Sequence, residues 1–246
     1  MKAVGIIPSR LKSTRLPNKA LIDIEGLPMV IHVMKRCQLS SALDDVIVAT
    51  DSSAIMDEVK RHGGKAVMTS SKHNTGTDRI AEVASKLDAD IVVNIQGDEP
   101  MLDPQHIDAA IKPLLNDKDL QVSVLVTPYK KKNSPSDIKA VLDKEGNILY
   151  CSRNDLPSDA RSQVDTMLKM CFIVPFRREF LMKYSSWEQT PLEKTEFNEY
   201  LRILENGYKI RAVNVDSAHI SVDTPEDLEA IRALMKTDKL IKRYMK

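Results

Sequence analysis

The chain of 246 residues carries almost no net charge: 36 Lys and Arg stand against 35 Asp and Glu, a formal +1. So even a balance lacks the broad basic footprint that nucleic acid or an acidic membrane surface demands. Cysteine is scarce. Cys37, Cys151 and Cys171 are odd in number and irregularly spaced, which argues against a disulfide framework or a zinc site and for reduced thiols. Long apolar runs are missing too. No stretch reaches the length of a membrane span, and the first apolar run, Val4 to Ile7, is broken at once by Pro8 and charges, unlike a secretory leader. A cytoplasmic protein is expected, with no nucleic-acid partner and no membrane insertion. The 42% apolar and 29% charged residues are those of an ordinary globular chain, long enough for one large α/β domain or two small ones.

What charge there is gathers early. After the buried-strand pattern of Val4 to Ile7, a loop packs Arg10, Lys12, Arg15 and Lys19 between Ser9, Ser13 and Thr14. Arg forks and Lys ammonium groups neutralise phosphate oxygens, and loop N–H groups add donors. In an open α/β sheet such a loop lies at the carboxyl end of its strand, where ligands bind. A solvated charged turn would read the same way in isolation. Further along, a helix over about 29–39, a strand over Asp45 to Thr50, a helix to about His62, a strand over Lys65 to Met68 and a strand over Asp90 to Ile95 follow in alternation. That order predicts a parallel sheet with right-handed crossovers. His32, alone on the first helix, reads as a packed or surface residue.

Two loops at strand ends stand out. Thr69 to Arg79 (TSSKHNTGTDR) is rich in hydroxyls around Gly76, with Thr77 and Asp78 as caps for a helix from Arg79. It suits either a nucleoside pocket or an ordinary helix entry. The fourth strand runs into Gln96-Gly97-Asp98-Glu99-Pro100. Acids beside a Gly at a strand end suit Mg²⁺, which takes one or two carboxylates plus substrate phosphates. Asp223, before Thr224-Pro225-Glu226, reads alone as part of a cap and turn, though it could complete such a site with Asp98. The middle of the chain predicts a strand over 120–128, a hairpin of 136–142 with 148–152, a strand over 167–175, and one helix from Leu192 to Leu204 that puts Glu196, Glu199 and Tyr200 on one face. No composition break divides the chain, so a single domain of 1–246 is expected, with a hairpin-rich excursion over about 127–185 that could form a dimer face.

In order and spacing, IPSRLKSTRLPNKAL, VIVATD, GGKAVMTS, HNTGTDR, NIQGDEP, YCSR and VDTPEDLE resemble the 3-deoxy-manno-octulosonate cytidylyltransferase (CMP-Kdo synthetase) family over nearly the whole chain. The resemblance implies an α/β fold, three-layer α/β/α with a mostly parallel mixed sheet of the nucleotide-diphospho-sugar transferase (GT-A/Rossmann-like) type, in a homodimer. It implies a Mg²⁺-dependent transferase that joins CTP and a 2-keto-3-deoxy sugar acid into a CMP-sugar and pyrophosphate, for lipopolysaccharide or capsule synthesis. The anomeric hydroxyl would attack the α-phosphorus. Arg10, Arg15 and Lys19 would hold the triphosphate, and Asp98 and Asp223 the metal. Thr75, Gly76, Asp78 and Arg79, with Pro8 and Ser9, would take the cytidine, and Gln96 would lie beside the ligand. Arg153 would face the sugar carboxylate and Glu196 the sugar hydroxyls.

The chain departs from the family pattern in places. Lys169-Met170-Cys171-Phe172 replaces Lys-His before Gly-Ile-Tyr, and Glu196-Phe197-Asn198-Glu199-Tyr200 replaces Glu-Ser-Leu-Glu-Gln. Leu11-Lys12 replaces Tyr-Gly, and Pro17-Asn18-Lys19-Ala20 replaces Pro-Gly-Lys-Pro. Met170 and Tyr200 are therefore expected to reshape the sugar end of the pocket, for Kdo or a close relative. The alternatives are a CTP transferase for another acid, such as a nine-carbon one, a sugar-1-phosphate nucleotidyltransferase, and a non-catalytic nucleotide-binding module.

Overall fold

The structure, a computed structural model, describes residues 1–11, 16–73, 75–217 and 220–245. Strand β1 (Ala3–Ser9) is buried along nearly its whole length, because Ala3 to Ile7 present apolar side chains to both faces of a sheet. Pro8 does not end it, as the sequence suggested. The ladder to one neighbour runs through Ser9, but the ladder to the other stops at Ile6. Pro8 thus lies beyond the last pairing to that neighbour, where a missing N–H is tolerated.

The expected single domain is seen as two compact units, residues 1–108 with 219–246, and residues 109–218. Composition hides this division because both units alternate apolar strands with polar turns. In the first unit β1 is followed by the short pair β2 (Asp23–Ile24) and β3 (Leu27–Pro28), then α1 (Met29–Cys37), β4 (Asp45–Thr50), α2 (Ser53–Arg61), β5 (Lys65–Met68), α3 (Gly76–Ala84) and β6 (Ile91–Ile95). Strands β6, β1, β4 and β5 lie side by side in that order, and all their pairings are parallel. The parallel sheet expected from the alternation in the sequence is this one. Helix α3 starts three residues earlier than predicted. Thr75 is the N-cap, in a capping box with Asp78, so Thr77 falls inside the helix.

Helix α4 (Pro104–Asn116) leads into the second unit. There the chain forms β7 (Ser123–Tyr129), β8 (Lys139–Leu142), β9 (Ile148–Ser152), β10 (Met167–Cys171), β11 (Ile173–Arg177), α5 (Arg178–Ser185), α6 (Pro191–Glu196), α7 (Leu201–Glu205) and β12 (Arg211–Asn214). Its sheet has the order β12-β7-β10-β8-β9 and is antiparallel except where β12 meets β7. The chain then returns to the first unit as α8 (Pro225–Met235). The fold is α/β. Cys37, Cys151 and Cys171 are free and buried, and burial pushes the Cys151 thiol up to about 12. Among the described residues no helix is long and apolar enough to cross a membrane.

Two predicted elements are split. The strand 167–175 breaks at Phe172 into β10 and β11. The helix 192–204 breaks at Phe197, whose φ of 49° lies in the left-handed region. Asn198 causes the break: it is buried, its amide nitrogen reaches Cys151 Sγ, and its side-chain oxygen accepts from Tyr200 N–H. A buried ion pair of Arg202 with Glu193 (2.7 and 2.5 Å) ties α7 to α6. Glu196, Glu199 and Tyr200 therefore do not share one helical face. Phe197 is 83% exposed, so its side chain offsets little of the cost of its backbone. Phe197→Gly is expected to stabilise the protein by about 1 kcal/mol, since glycine carries no penalty in that region. A thermal melt followed by circular dichroism checks this, and a lower midpoint would show that the ring matters.

Candidate active site

The cleft is built at the carboxyl ends of β1 and β6, entirely within the first unit. Pro8, Ser9, Arg10, Lys19, Ala20, His73, Thr75, Gly76, Arg79, Gln96, Gly97, Asp98 and Asp223 line about 790 Å³ of space, within the range of small-molecule sites. Its floor is tight. A Cβ on Gly97 would stand 3.0 Å from the Pro8 carbonyl oxygen and 3.4 Å from Ile7 Cγ2. Only glycine lets the strand end of β6 pass so close to β1.

Lys19 is aimed by its own turn. Asn18 takes the left-handed conformation (φ 54°) that asparagine tolerates. A single 3-10 turn, Lys19–Leu21, follows, closed by Leu21 N–H to the Asn18 carbonyl (2.8 Å). The ammonium then donates to Asp98 Oδ2 at 2.6 Å and to Asp223 Oδ1 at 2.9 Å. Asp98 follows β6. Asp223 stands before α8, whose entry is fixed by a capping box of Thr224 and Asp227. A backbone hydrogen bond from Val222 N–H to the Asp98 carbonyl (2.9 Å) brings the two acids together. An apolar cluster of Leu16, Ile24, Met29, Val222, Leu228, Ile231, Met235 and Ile241 packs α8 beneath the Lys19 turn. Burial raises the Asp98 carboxyl above the usual carboxylate range, and Lys19 pulls the other way.

Both carboxylates thus close on one cation position, which the ammonium fills. That is the donor set a hard divalent ion accepts when phosphates complete its shell. Among the described residues no group of three or more His, Cys, Asp or Glu side chains could hold a metal ion.

On the facing wall Arg79 is buried, donating to Thr69 Oγ1 and, at 3.1 Å, to Asp51. Gln96 donates to Asn94 Oδ1 at 3.2 Å, and Asn94 to Thr77 Oγ1 at 3.3 Å, a chain that sets Gln96 against α3. Asp78 serves the capping box, receiving Thr75 N–H at 3.1 Å, and does not line the cleft. Arg10 lies at the cleft and is exposed. Arg15 and Lys12 lie outside the described residues. The sequence reading missed His73, which lines the cleft with Nε2 2.6 Å from Glu82. Its place in a loop of hydroxyls before a capped helix was the available signal.

The remaining expected residues belong to the second unit. Glu196 accepts from Tyr150 Oη (3.1 Å), Ser152 Oγ (2.8 Å) and Arg153 N–H (3.0 Å). Burial pushes its carboxyl up, but these bonds outweigh that and hold it below the ordinary value. The Arg153 guanidinium donates to the carbonyls of Glu196, Pro135, Ser136 and Phe197 at 3.0–3.2 Å. It is a clamp on the chain, which differs from the expected posture toward a carboxylate. Met170 is fully buried on β10, opposite Val126 of β7. Tyr200 is 3% exposed and stacks on Phe172. Both are core residues here, not the pocket surface expected of them, because β10 is covered on both faces at Met170 and Cys171 and the broken helix turns Tyr200 inward.

A cytidylyltransferase family model matches residues 4–210. The 3-deoxy-manno-octulosonate cytidylyltransferase of Geotalea daltonii is 46% identical over 96% of this chain and 99% of its own. That of Geotalea uraniireducens is 45% identical over 96% and 100%. The chain belongs to this family. It is a CTP-dependent nucleotidyltransferase. A solved structure of CMP:2-keto-3-deoxy-manno-octonic acid synthetase complexed with CTP matches with a TM-score of 0.93 and 38% identity, over 96% of this chain and 99% of that one.

A cytidylyltransferase must hold a flat base and a flexible triphosphate in one pose, so the rigid meeting of β1 and β6 matters. Gly97→Ala forces a methyl against the Pro8 carbonyl. It is expected to destabilise the protein by about 1–3 kcal/mol and to weaken CTP binding. Urea unfolding and CTP titration read the two effects, and normal values for both would show that the strand ends separate freely.

Proposed function

We propose that the protein transfers the cytidylyl group of CTP to 3-deoxy-manno-octulosonate, releasing pyrophosphate, with Mg²⁺ as cofactor. The observation that carries the reading is the pair Asp98 and Asp223 converging on one cation position in a cleft that also holds Arg10 and Lys19. Phosphoryl transfer needs alignment and charge neutralisation more than covalent help. Arg10 and Lys19 bind the triphosphate and steady the departing pyrophosphate. The loop of Thr75, Gly76 and Arg79 takes the nucleoside against Pro8 and Ser9, with Gln96 beside it. A magnesium ion held by Asp98 and Asp223 supplies Lewis acidity toward phosphate and sugar oxygens.

On the acceptor side, Glu196 takes sugar hydroxyls, its carboxylate held ionised and oriented by Tyr150, Ser152 and Arg153. Arg153 acts chiefly through that loop. Near-full-length relatives at 45–46% identity that carry the octulosonate name favour Kdo itself over an altered acid. The reading extends to a homodimer working in the cytoplasm, where CTP is made, and supplying lipopolysaccharide synthesis.

Pyrophosphate release with CTP and Mg²⁺ tests this against a panel of keto-deoxy sugar acids. Kdo is expected to be turned over fastest; turnover of only another acid would overturn the acceptor assignment. Asp98→Asn is expected to lower kcat by roughly a hundredfold or more while CTP still binds. A near-normal kcat would remove Asp98 from the metal role.

A further inference from the structure

We propose that Lys19 is a placeholder cation that makes metal binding at Asp98 and Asp223 conditional on the nucleotide. This rests on the reading of those two carboxylates as the magnesium ligands. The Lys19 ammonium is within 2.6 Å of one and 2.9 Å of the other, with the side chain only 14% exposed. Its turn is fixed by Asn18 and by packing on α8, so the contact is built into the fold.

A divalent ion and this ammonium compete for the same oxygens. Without nucleotide, a metal ion would gain two carboxylates but leave Lys19 largely buried beside it, stripped of both carboxylates it is hydrogen-bonded to. Burying an unpaired charge next to a like charge is strongly unfavourable. Asp227 also lies within the electrostatic reach of Lys19, but the ammonium is hydrogen-bonded to Asp98 and Asp223, so the loss of both is offset only in part. When a triphosphate enters, its oxygens can accept the three N–H donors of Lys19. Lys19 then leaves the carboxylates, and a metal ion could take the Asp98 and Asp223 oxygens that it released, with phosphate oxygens to complete its shell. By linkage, nucleotide raises metal affinity and metal raises nucleotide affinity by one factor. The site therefore takes metal and nucleotide together and discriminates against the metal ion alone.

The test is Mn²⁺ binding to the nucleotide-free full-length protein, followed by the electron paramagnetic resonance of free Mn²⁺. Lys19→Met and Lys19→Gln are expected to bind Mn²⁺ about tenfold tighter than wild type, within the usual span of coupling between sites. Lys19→Arg, which keeps the charge, should stay near wild type. Adding Asp98→Asn to Lys19→Met should abolish the gain. Thermal melts establish that the variants are folded; a merely structural lysine would not raise affinity when removed. If neither neutral variant gains affinity but Asp98→Asn still weakens Mn²⁺ binding, the placeholder role is wrong and the metal reading stands. If Asp98→Asn changes Mn²⁺ binding in no background, both are wrong.

Discussion

Asp98 and Asp223, 125 positions apart in the sequence, share a single lysine, and most of the first unit serves that contact. Strand β6 delivers Asp98 and the N-terminus of α8 delivers Asp223. The hydrogen bond from Val222 to Asp98 sets their spacing, and the apolar cluster under α8 holds the turn that carries Lys19. Three partly buried charges so close together balance one another. With Asp98 and Asp223 about a third exposed, solvent screens part of the cost of removing one partner, which stays below that of a fully buried pair. The end of the chain is tied in by the same logic. Arg36, almost wholly buried, pairs with Asp238 and donates to the Leu102 carbonyl and Tyr244, while His32 bridges Tyr244 Oη and the Ile24 carbonyl. The histidine that looked unremarkable in sequence is a strut between α1 and the tail.

Local chemistry made the first unit legible. DVIVAT and KAVM have strand bounds that coincide with β4 and β5, because each is a short apolar run closed by strong turn or cap residues. Asp98 was readable as a metal candidate because a strand running into adjacent acids has few other uses. Asp223 was not separable from a capping motif, and indeed it adjoins one; only the return of α8 to β6 gives it a second role. The position of Lys19 between the acids was illegible, since it depends on contacts across the whole unit.

Misreadings elsewhere share a cause. TGTDR offers two threonines that could cap, and the choice of Thr75 over Thr77 depends on which hydroxyl the Asp78 N–H reaches. The periodicity of LEKTEFNEYLRIL is helical throughout, yet Asn198 finds a better place inside the protein and breaks the run at Phe197. That break takes Tyr200 out of line with Glu196. Likewise Met170 replaces a family histidine on a strand whose inward side chains are core, so the change reads in the sequence as altered specificity and in the structure as packing.

Lys139 and Lys19 are held differently, and the difference follows from what each ammonium donates to. In the second unit Lys139 is fully buried and donates to the carbonyls of Ser134, Asp137 and Arg153, and Arg153 grips four carbonyls. Carbonyls belong to the main chain, so exchanging them for a ligand would mean unfolding the loops they hold. These cations are fixed, and they pin the strand end where Glu196 accepts its three hydrogen bonds. The Lys19 ammonium donates instead to two carboxylate side chains, whose charge a metal ion can satisfy, and its own charge can be satisfied by phosphate. The same residue type is thus a rivet in one unit and an exchangeable counter-ion in the other, and only the second kind can respond to a substrate.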